Sequence, residues 1–190
     1  YQELKNLLGE EFVSIDANDL VKYGQDETED FVFQPDVVVM PKTVQQLSIL
    51  MQFCSTHKVP VTPRGAGTGL SGASLPIQQG VLLSMEHFHK ILSIDEANMQ
   101  AVVESGVINH NLREAVERKG LFYPPDPASK GSCFIGGNVA HNSGGPKAVK
   151  YGVTKDYILN LEVVLPSGEV IWTGSNTLKN STGYNLTQLF

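Results

Sequence analysis

Residues 63–72 read Pro-Arg-Gly-Ala-Gly-Thr-Gly-Leu-Ser-Gly, with four glycines among the last eight positions. Glycine reaches dihedrals closed to other residues and lets a ligand approach the main chain without a Cβ in the way. So dense a run, with Arg64 at one end and hydroxyls at Thr68 and Ser71, has the makings of an anion cradle. Successive N–H groups can converge there on phosphate oxygens. A glycine-rich turn without a ligand is the alternative.

A strand–helix–strand unit precedes the run. Val37 to Met40 is a β-branched stretch closed by Pro41, which predicts a short strand. Thr43 and Gln46 form a Thr-x-x-Gln capping box ahead of an amphipathic helix carrying Val44, Leu47, Leu50, Met51 and Cys54, ending near His57. Val59 to Pro63 reads as extended and delivers the glycine run.

The residues after the run decide between nucleotide folds. Gly67 to Gly72 satisfies G-x-G-x-x-G, a pattern that marks a Rossmann site only where it opens a helix. Here Pro76 comes at once, and the next periodic segment, Gly80 to Ser84, is a strand. Without that helix no dipole faces a pyrophosphate, so the Rossmann reading is set aside. No Lys follows the last glycine, so a P-loop is excluded too.

A second cluster lies between Gly131 and Gly152, GSCFIGGNVAHNSGGPKAVKYG, and the two windows hold ten of the chain's 18 glycines. Two glycine clusters, each coming after extended chain, suggest a ligand held from two sides. Phe122 to Gly152, with Pro124, Pro125 and Pro127, is expected to be mostly loop, and loops of that length are usually functional.

Elsewhere, Leu4, Leu7 and Leu8 predict a short N-terminal helix, and Asp16 or Asn18 caps a second before Leu20 and Val21. Gly24 to Pro35 is acidic and reads as a loop. Ile91 to Asp95 with Gln100 to Glu104, and Ile158 to Leu165 with Glu169 to Thr173, read as hairpins. Asn109 to Lys119 is a helix with Leu112, Ala115 and Val116 inward, stopped by Gly120. Asn180 to Phe190 shows no period. The class is therefore α+β. Residues 1–33 form an N-terminal helical segment, and a weak division near Pro76 separates a small α/β lobe, about 34–75, from a larger lobe, about 76–190, with antiparallel strands and flanking helices.

Bulk properties narrow the function. A net charge of −6 gives no footprint for nucleic acid. Cys54 and Cys133 have no metal-ligand spacing and suit a reducing compartment, so a cytoplasmic location is expected. His87 and His89 lack a third ligand, and no metal site is expected. Asn180-Ser-Thr182 and Asn185-Leu-Thr187 match the glycosylation pattern by chance.

PRGAGTGLSG, then PPDPASKGSCFIGGNVAHNSGG, then YGVTKDYILNLEVVLPSGEVIWTG, together resemble the FAD-binding PCMH-type domain of the vanillyl-alcohol-oxidase superfamily. Within it they resemble the branch of glycolate oxidase D-subunits and of D-lactate and D-2-hydroxyglutarate dehydrogenases. The resemblance runs from about Gln34 and keeps the family's motif order. It implies that Pro63, Arg64, Gly65, Ala66, Gly67, Thr68, Gly69 and Gly72 hold the FAD pyrophosphate. It places Pro125, Asp126 and Ser132 near the flavin end. Gly136, Gly137, Asn138, Asn142, Ser143 and Gly145 wrap the ribityl and pyrophosphate portion, and Glu162, Val163 and Val164 lie by the adenine. Arg64 as a structural ion-pair partner is the alternative. Some members attach FAD through a histidine where this chain has Thr68, so the resemblance implies noncovalent FAD. His141 is a candidate to approach the flavin or its phosphates, or is simply a packed or exposed imidazole.

The same resemblance implies oxidation of a 2-hydroxy acid to the 2-oxo acid by hydride transfer to flavin N5. It puts the substrate site and the catalytic residues in a cap domain after the FAD domain, so none is assigned here. The chain is expected to stop before a Gly-Ser-Glu-Gly-Thr-like stretch that completes the FAD domain. Other subunits of an oxidase complex, an electron-transfer partner and a homo-oligomer are further expectations. Another chemistry on the same fold, such as carbohydrate or aldonolactone oxidation or enolpyruvyl-UDP-sugar reduction, and a noncatalytic FAD-binding module are the competing readings.

Overall fold

The computed structural model describes residues 1–190. Helix α1 (Gln2–Leu8) and a 3-10 turn (Glu10–Phe12) lead into β1 (Val13–Ser14) and α2 (Ala17–Tyr23). Asp16 caps α2, its carboxylate accepting the Asn18 N–H. Strand β2 (Val37–Val39), helix α3 (Val44–His57) and strand β3 (Val61–Arg64) form the expected unit. Thr43 Oγ1 accepts the Gln46 N–H at 3.1 Å. Gln46 Oε1 returns the bond to Lys42 N–H, one residue before the cap, and its Nε2 donates to Leu8 O, tying α3 to α1.

Strand β4 (Val81–Ser84) enters between β2 and β3, parallel to both, and β1 adds antiparallel to β2, giving the order β1-β2-β4-β3. Because β2 and β4 are covered on both faces, they are continuous apolar runs, broken only by the buried Ser84 at the end of β4. Val37, Val39, Val81 and Leu83 join Leu4, Leu8, Leu47 and Leu50 on the face of α1 and α3, while Val38 and Leu82 meet Tyr23 of α2 on the other. The division expected near Pro76 thus falls inside this lobe, because β4 completes its sheet. The N-terminal residues are likewise part of the lobe, through β1, α1 and α2.

The larger lobe holds two hairpins, β5 (Ile91–Asp95) with β6 (Gln100–Val103) and β7 (Glu162–Val164) with β8 (Val170–Trp172). Helix α4 (Asn109–Glu117) buries Leu112 and Val116, which pack with Val107 and Ile135. Gly120 comes after it at φ 72°. The stretch expected to be mostly loop carries two short helices, α5 (Ile135–Ala140) and α6 (Ala148–Tyr151), and a 3-10 turn (Thr154–Tyr157) lies just beyond. Glycine disfavours helix, but α5 is anchored from outside: Ile135 N–H donates to Val107 O at 2.8 Å and Gly136 N–H to Ser105 O at 2.7 Å. A last helix, α7 (Leu186–Leu189), is capped by Asn185. No helix is long and apolar enough to cross a membrane.

Candidate functional site

Strand β3 lies at the edge of its sheet, which is why Pro63, lacking an N–H, fits within it. The strand ends at Arg64, and the chain then turns away through Gly65. From Gly65 to Ser71 no main-chain N–H is spent on another group of the chain, whereas the Gly72 N–H is taken by Thr28 Oγ1 at 2.8 Å. A run of free donors on glycine-rich backbone is the arrangement that binds phosphate oxygens. Gly67 has φ 72° and Gly72 φ 68°, left-handed values that favour glycine.

The loop folds over the guanidinium of Arg64. A Cβ on Gly67 would lie 2.1 Å from Arg64 Nη2, so only glycine allows that approach. Arg64 is 8% exposed and forms no ion pair; its Nη1 donates to Ser74 Oγ at 3.4 Å. The ion-pair reading of Arg64 is therefore wrong in its direct form. Burial pulls the guanidinium below its usual value, and Asp26, Tyr23 and Glu86 oppose that pull. Arginine remains a cation regardless, so the site keeps a desolvated positive charge beneath its free amides. A cleft of about 320 Å³ bordered by Lys22, Asp26, Arg64 and Gly67 reaches it.

The second cluster faces the first. A Cβ built on Gly65 would sit 3.8 Å from the Phe134 ring and 4.0 Å from Gly137 Cα, and one on Gly69 3.8 Å from His141 Nε2. Gly136 packs so tightly on Ser105 that a Cβ would fall 2.8 Å from Ser105 Cβ. Gly137 differs: its N–H has no partner in the chain, and a Cβ there would meet nothing within 4 Å. Asn138 is buried and organises the segment from below. Its Oδ1 accepts from Asn109 Nδ2 at 3.0 Å, its Nδ2 donates to Cys133 Sγ at 3.2 Å, and its C=O accepts the Ser143 N–H at 2.9 Å. Asn142, at φ 47°, accepts the Lys155 N–H, and Ser143 O accepts both N–H and Oγ1 of Thr154.

Asp126 closes this side. Gly145, at φ 121°, lies so near its carbonyl that a Cβ would come within 2.0 Å of Asp126 O. The carboxylate is met by Arg113 Nη1 at 2.6 Å, Lys130 Nζ at 2.7 Å and Lys147 Nζ at 3.6 Å. The Lys130 hydrogen bond holds it below the usual carboxylate range despite burial, with Arg113 and Lys147 adding to the effect. Three cations around one anion leave the neighbourhood positive.

Of the other predicted residues, Pro125 is fully buried beside Asp126, and Ala66 and Thr68 are half-buried on the loop. Ser132 is exposed, in a turn closed by its own N–H to Ser129 O. Glu162, Val163 and Val164 lie on β7, whose hairpin is seated on α3: Ser48 Oγ donates to Gly168 O, and Val164 packs on the core of the small lobe. Composition marked the acidic segment after α2 only as loop, yet Asp26 and Thr28 touch the cradle. The Asp26-Glu27-Thr28 turn sequence was the one local signal there.

A run of free amides over a buried cation, opened by glycine, fits a dinucleotide diphosphate. The family profile described as "FAD binding domain" matches residues 35–174. The chain belongs to this family. Its cofactor is FAD, and the two facing clusters fall within the matched stretch. Among relatives, this FAD-binding domain is 46% identical over 181 residues to glycolate oxidase subunit GlcD of Bacillus subtilis, covering 95% of the chain and 38% of that protein. It is 38% identical over 188 residues to D-2-hydroxyglutarate dehydrogenase of Stutzerimonas stutzeri, covering 99% of the chain and 40% of that protein. A solved alkyldihydroxyacetonephosphate synthase superposes with a TM-score of 0.83 at 23% identity, over 99% of this chain and 39% of that one. The chain thus spans about two-fifths of the length of these relatives, and at 23% identity the structural match speaks for the fold alone.

Proposed function

We propose that this chain is the flavin-binding part of an oxidoreductase that oxidises a 2-hydroxy acid of the glycolate, D-lactate or D-2-hydroxyglutarate type to the 2-oxo acid. The observation that carries the reading is the unpartnered run of N–H groups from Gly65 to Ser71, facing Gly137 and His141 across the cradle. The names of the two curated relatives supply the substrate class. Bound FAD supplies the hydride acceptor, and the protein supplies position and electrostatics. Pro63 to Gly69 and Gly72 hold the diphosphate, with Arg64 neutralising it from below. Gly136, Gly137, Asn138, Asn142, Ser143 and Gly145 form the opposing wall. Pro125, Asp126 and Ser132 belong to the flavin end, and Glu162 to Val164 to the adenine end.

Thr68 offers a hydroxyl where attachment would need an imidazole, so FAD is held noncovalently. We read residues 1–84 as the small lobe and the remainder as the larger one, since the sheet closes only with β4. A subunit name among the relatives supports assembly with further subunits. Two free, buried thiols suit a cytoplasmic setting.

The test is direct. The purified chain should show a flavin absorption band, or acquire one on titration with FAD, and acid precipitation should leave all flavin in the supernatant. A chain that neither carries nor takes up FAD refutes the binding reading, and flavin that precipitates with protein refutes the noncovalent mode. In the complete protein, D-lactate, D-2-hydroxyglutarate or glycolate should bleach the band; retained flavin that none of them bleaches would favour a noncatalytic module.

A further inference from the structure

Residues 23–28 precede the stretch 35–174 that carries the family match, yet they grip the glycine loop at three points. Thr28 Oγ1 accepts the Gly72 N–H at 2.8 Å, and the Glu27 N–H donates to Gly67 O at 3.3 Å. Asp26 Oδ2 accepts Ser74 Oγ at 2.9 Å, and Ser74 in turn receives Arg64 Nη1. Beneath them the Tyr23 ring lies 5.8 Å from the Arg64 guanidinium carbon, fixed by its hydroxyl donating to Glu86 at 2.7 Å.

The gripping segment is itself held in shape. The Thr28 N–H donates to Asp26 Oδ1 at 2.9 Å, and the Phe33 N–H donates to Gly24 O at 2.8 Å, closing the base. Burial pushes the Asp26 carboxyl up, but hydrogen bonds from Thr28 and Ser74 and the Arg64 charge outweigh it and keep the group ionised. The loop it grips has no comparable means of ordering itself. Glycine-rich backbone loses more freedom on ordering than any other, and the N–H groups from Gly65 to Ser71 make no bond that would restrain it.

We propose that residues 23–28 act as a strap that presets the loop for the dinucleotide, with Thr28 and Asp26 as positioning residues for cofactor binding. The inference rests on the FAD reading of the cradle. Ties at Gly67, Gly72 and Ser74 hold the middle and far end of the loop, while β3 holds the near end. The diphosphate then meets a formed cradle, and ordering does not subtract from its affinity. Asp26 also shares Ser74 with Arg64, which keeps the guanidinium under Gly67 while leaving its charge uncancelled by direct pairing.

The test compares Thr28→Val with Thr28→Ser in this chain. Backbone ¹⁵N order parameters for Gly65 to Ser71, measured without FAD, should fall from values near 0.85 toward about 0.6 in Thr28→Val. The FAD dissociation constant should rise about 2- to 10-fold, the weight of one neutral hydrogen bond. Thr28→Ser should restore both readouts, and order parameters in the β5–β6 hairpin should stay unchanged throughout. Wild-type loop order and affinity in Thr28→Val, or no recovery in Thr28→Ser, would overturn the strap. Should the wild-type chain fail to bind FAD, the cofactor reading falls. The order parameters then decide alone whether the strap orders the loop.

Discussion

Replacing Gly137 separates cofactor space from protein space. A Cβ at this position meets no protein atom within 4 Å, and the residue sits in α5 without a left-handed φ. Relative to glycine, Ala in a helix is favoured by about 0.5–1 kcal/mol, so Gly137→Ala should raise the melting temperature by roughly 1–4 °C in a chain of this size. Gly137→Val should keep part of that gain, since Val still outranks Gly in helix propensity. In the holo protein the same branched side chain would stand beside the free Gly137 N–H, opposite Gly65. Losing one charge-assisted hydrogen bond there, worth about 1.5–3 kcal/mol, weakens FAD binding roughly 10- to 150-fold. The signature is a protein without flavin that is at least as stable as wild type but retains little FAD. Thermal unfolding of the FAD-free protein and fluorescence titration with FAD read the two halves. Wild-type affinity in folded Gly137→Val would show that no cofactor occupies the space in front of α5. Gly67→Val cannot make this distinction, because its φ of 72° and the approach of Arg64 would destabilise the loop whether or not FAD binds there.

Asp126 should impose a pH dependence on stability. Its carboxyl is held low in the fold, so its contribution is fully present above the unfolded value near about 3.9 and is lost as pH falls through the lower folded value. Asp126→Asn should therefore unfold at lower urea concentration at pH 7 and show a shallower loss of stability between pH 5 and 2; an unchanged slope would mean that the three cations do not couple to folding. Burial pushes the Cys54 thiol up to about 11. With thiolate scarce, Cys54 should resist Ellman's reagent at pH 8 until urea is added, and prompt labelling of Cys54 in the native protein, located by peptide mapping, would contradict its place between α3 and the sheet.

What the sequence disclosed was what local chemistry determines. Thr43 and Gln46 announced α3, Asp16 announced α2, and Pro76 ruled out a helix after the glycine loop, because each acts within a few residues of itself. Helix α5 was hidden because Ile135-Gly-Gly-Asn138 has poor intrinsic helix propensity; its first turn exists through bonds to Val107 and Ser105, far away in the chain. The two residues of β1 are too short to show alternation, and only pairing with β2 makes them a strand. The place of β4 between β2 and β3 is a pairing choice that an apolar run cannot encode. The cradle itself was visible as glycine, but the contacts of Asp26 and Thr28 were not, since an acidic segment has the same composition whether solvated or gripping a neighbour.

The strand order carries a consequence for assembly. Because β4 lies between β2 and β3, strand β3 has no partner of its own when the chain as far as Gly72 has been made. During synthesis from the N-terminus, the loop that begins where β3 ends emerges attached to an unpaired strand. It takes its final shape only after Val81 to Ser84 arrive and register Pro63 with Leu83 and Arg64 with Ser84. A nascent chain ending before Ser84 therefore holds every residue of the glycine run but neither the pairing that shapes it nor the opposing wall of Gly136 to Gly145.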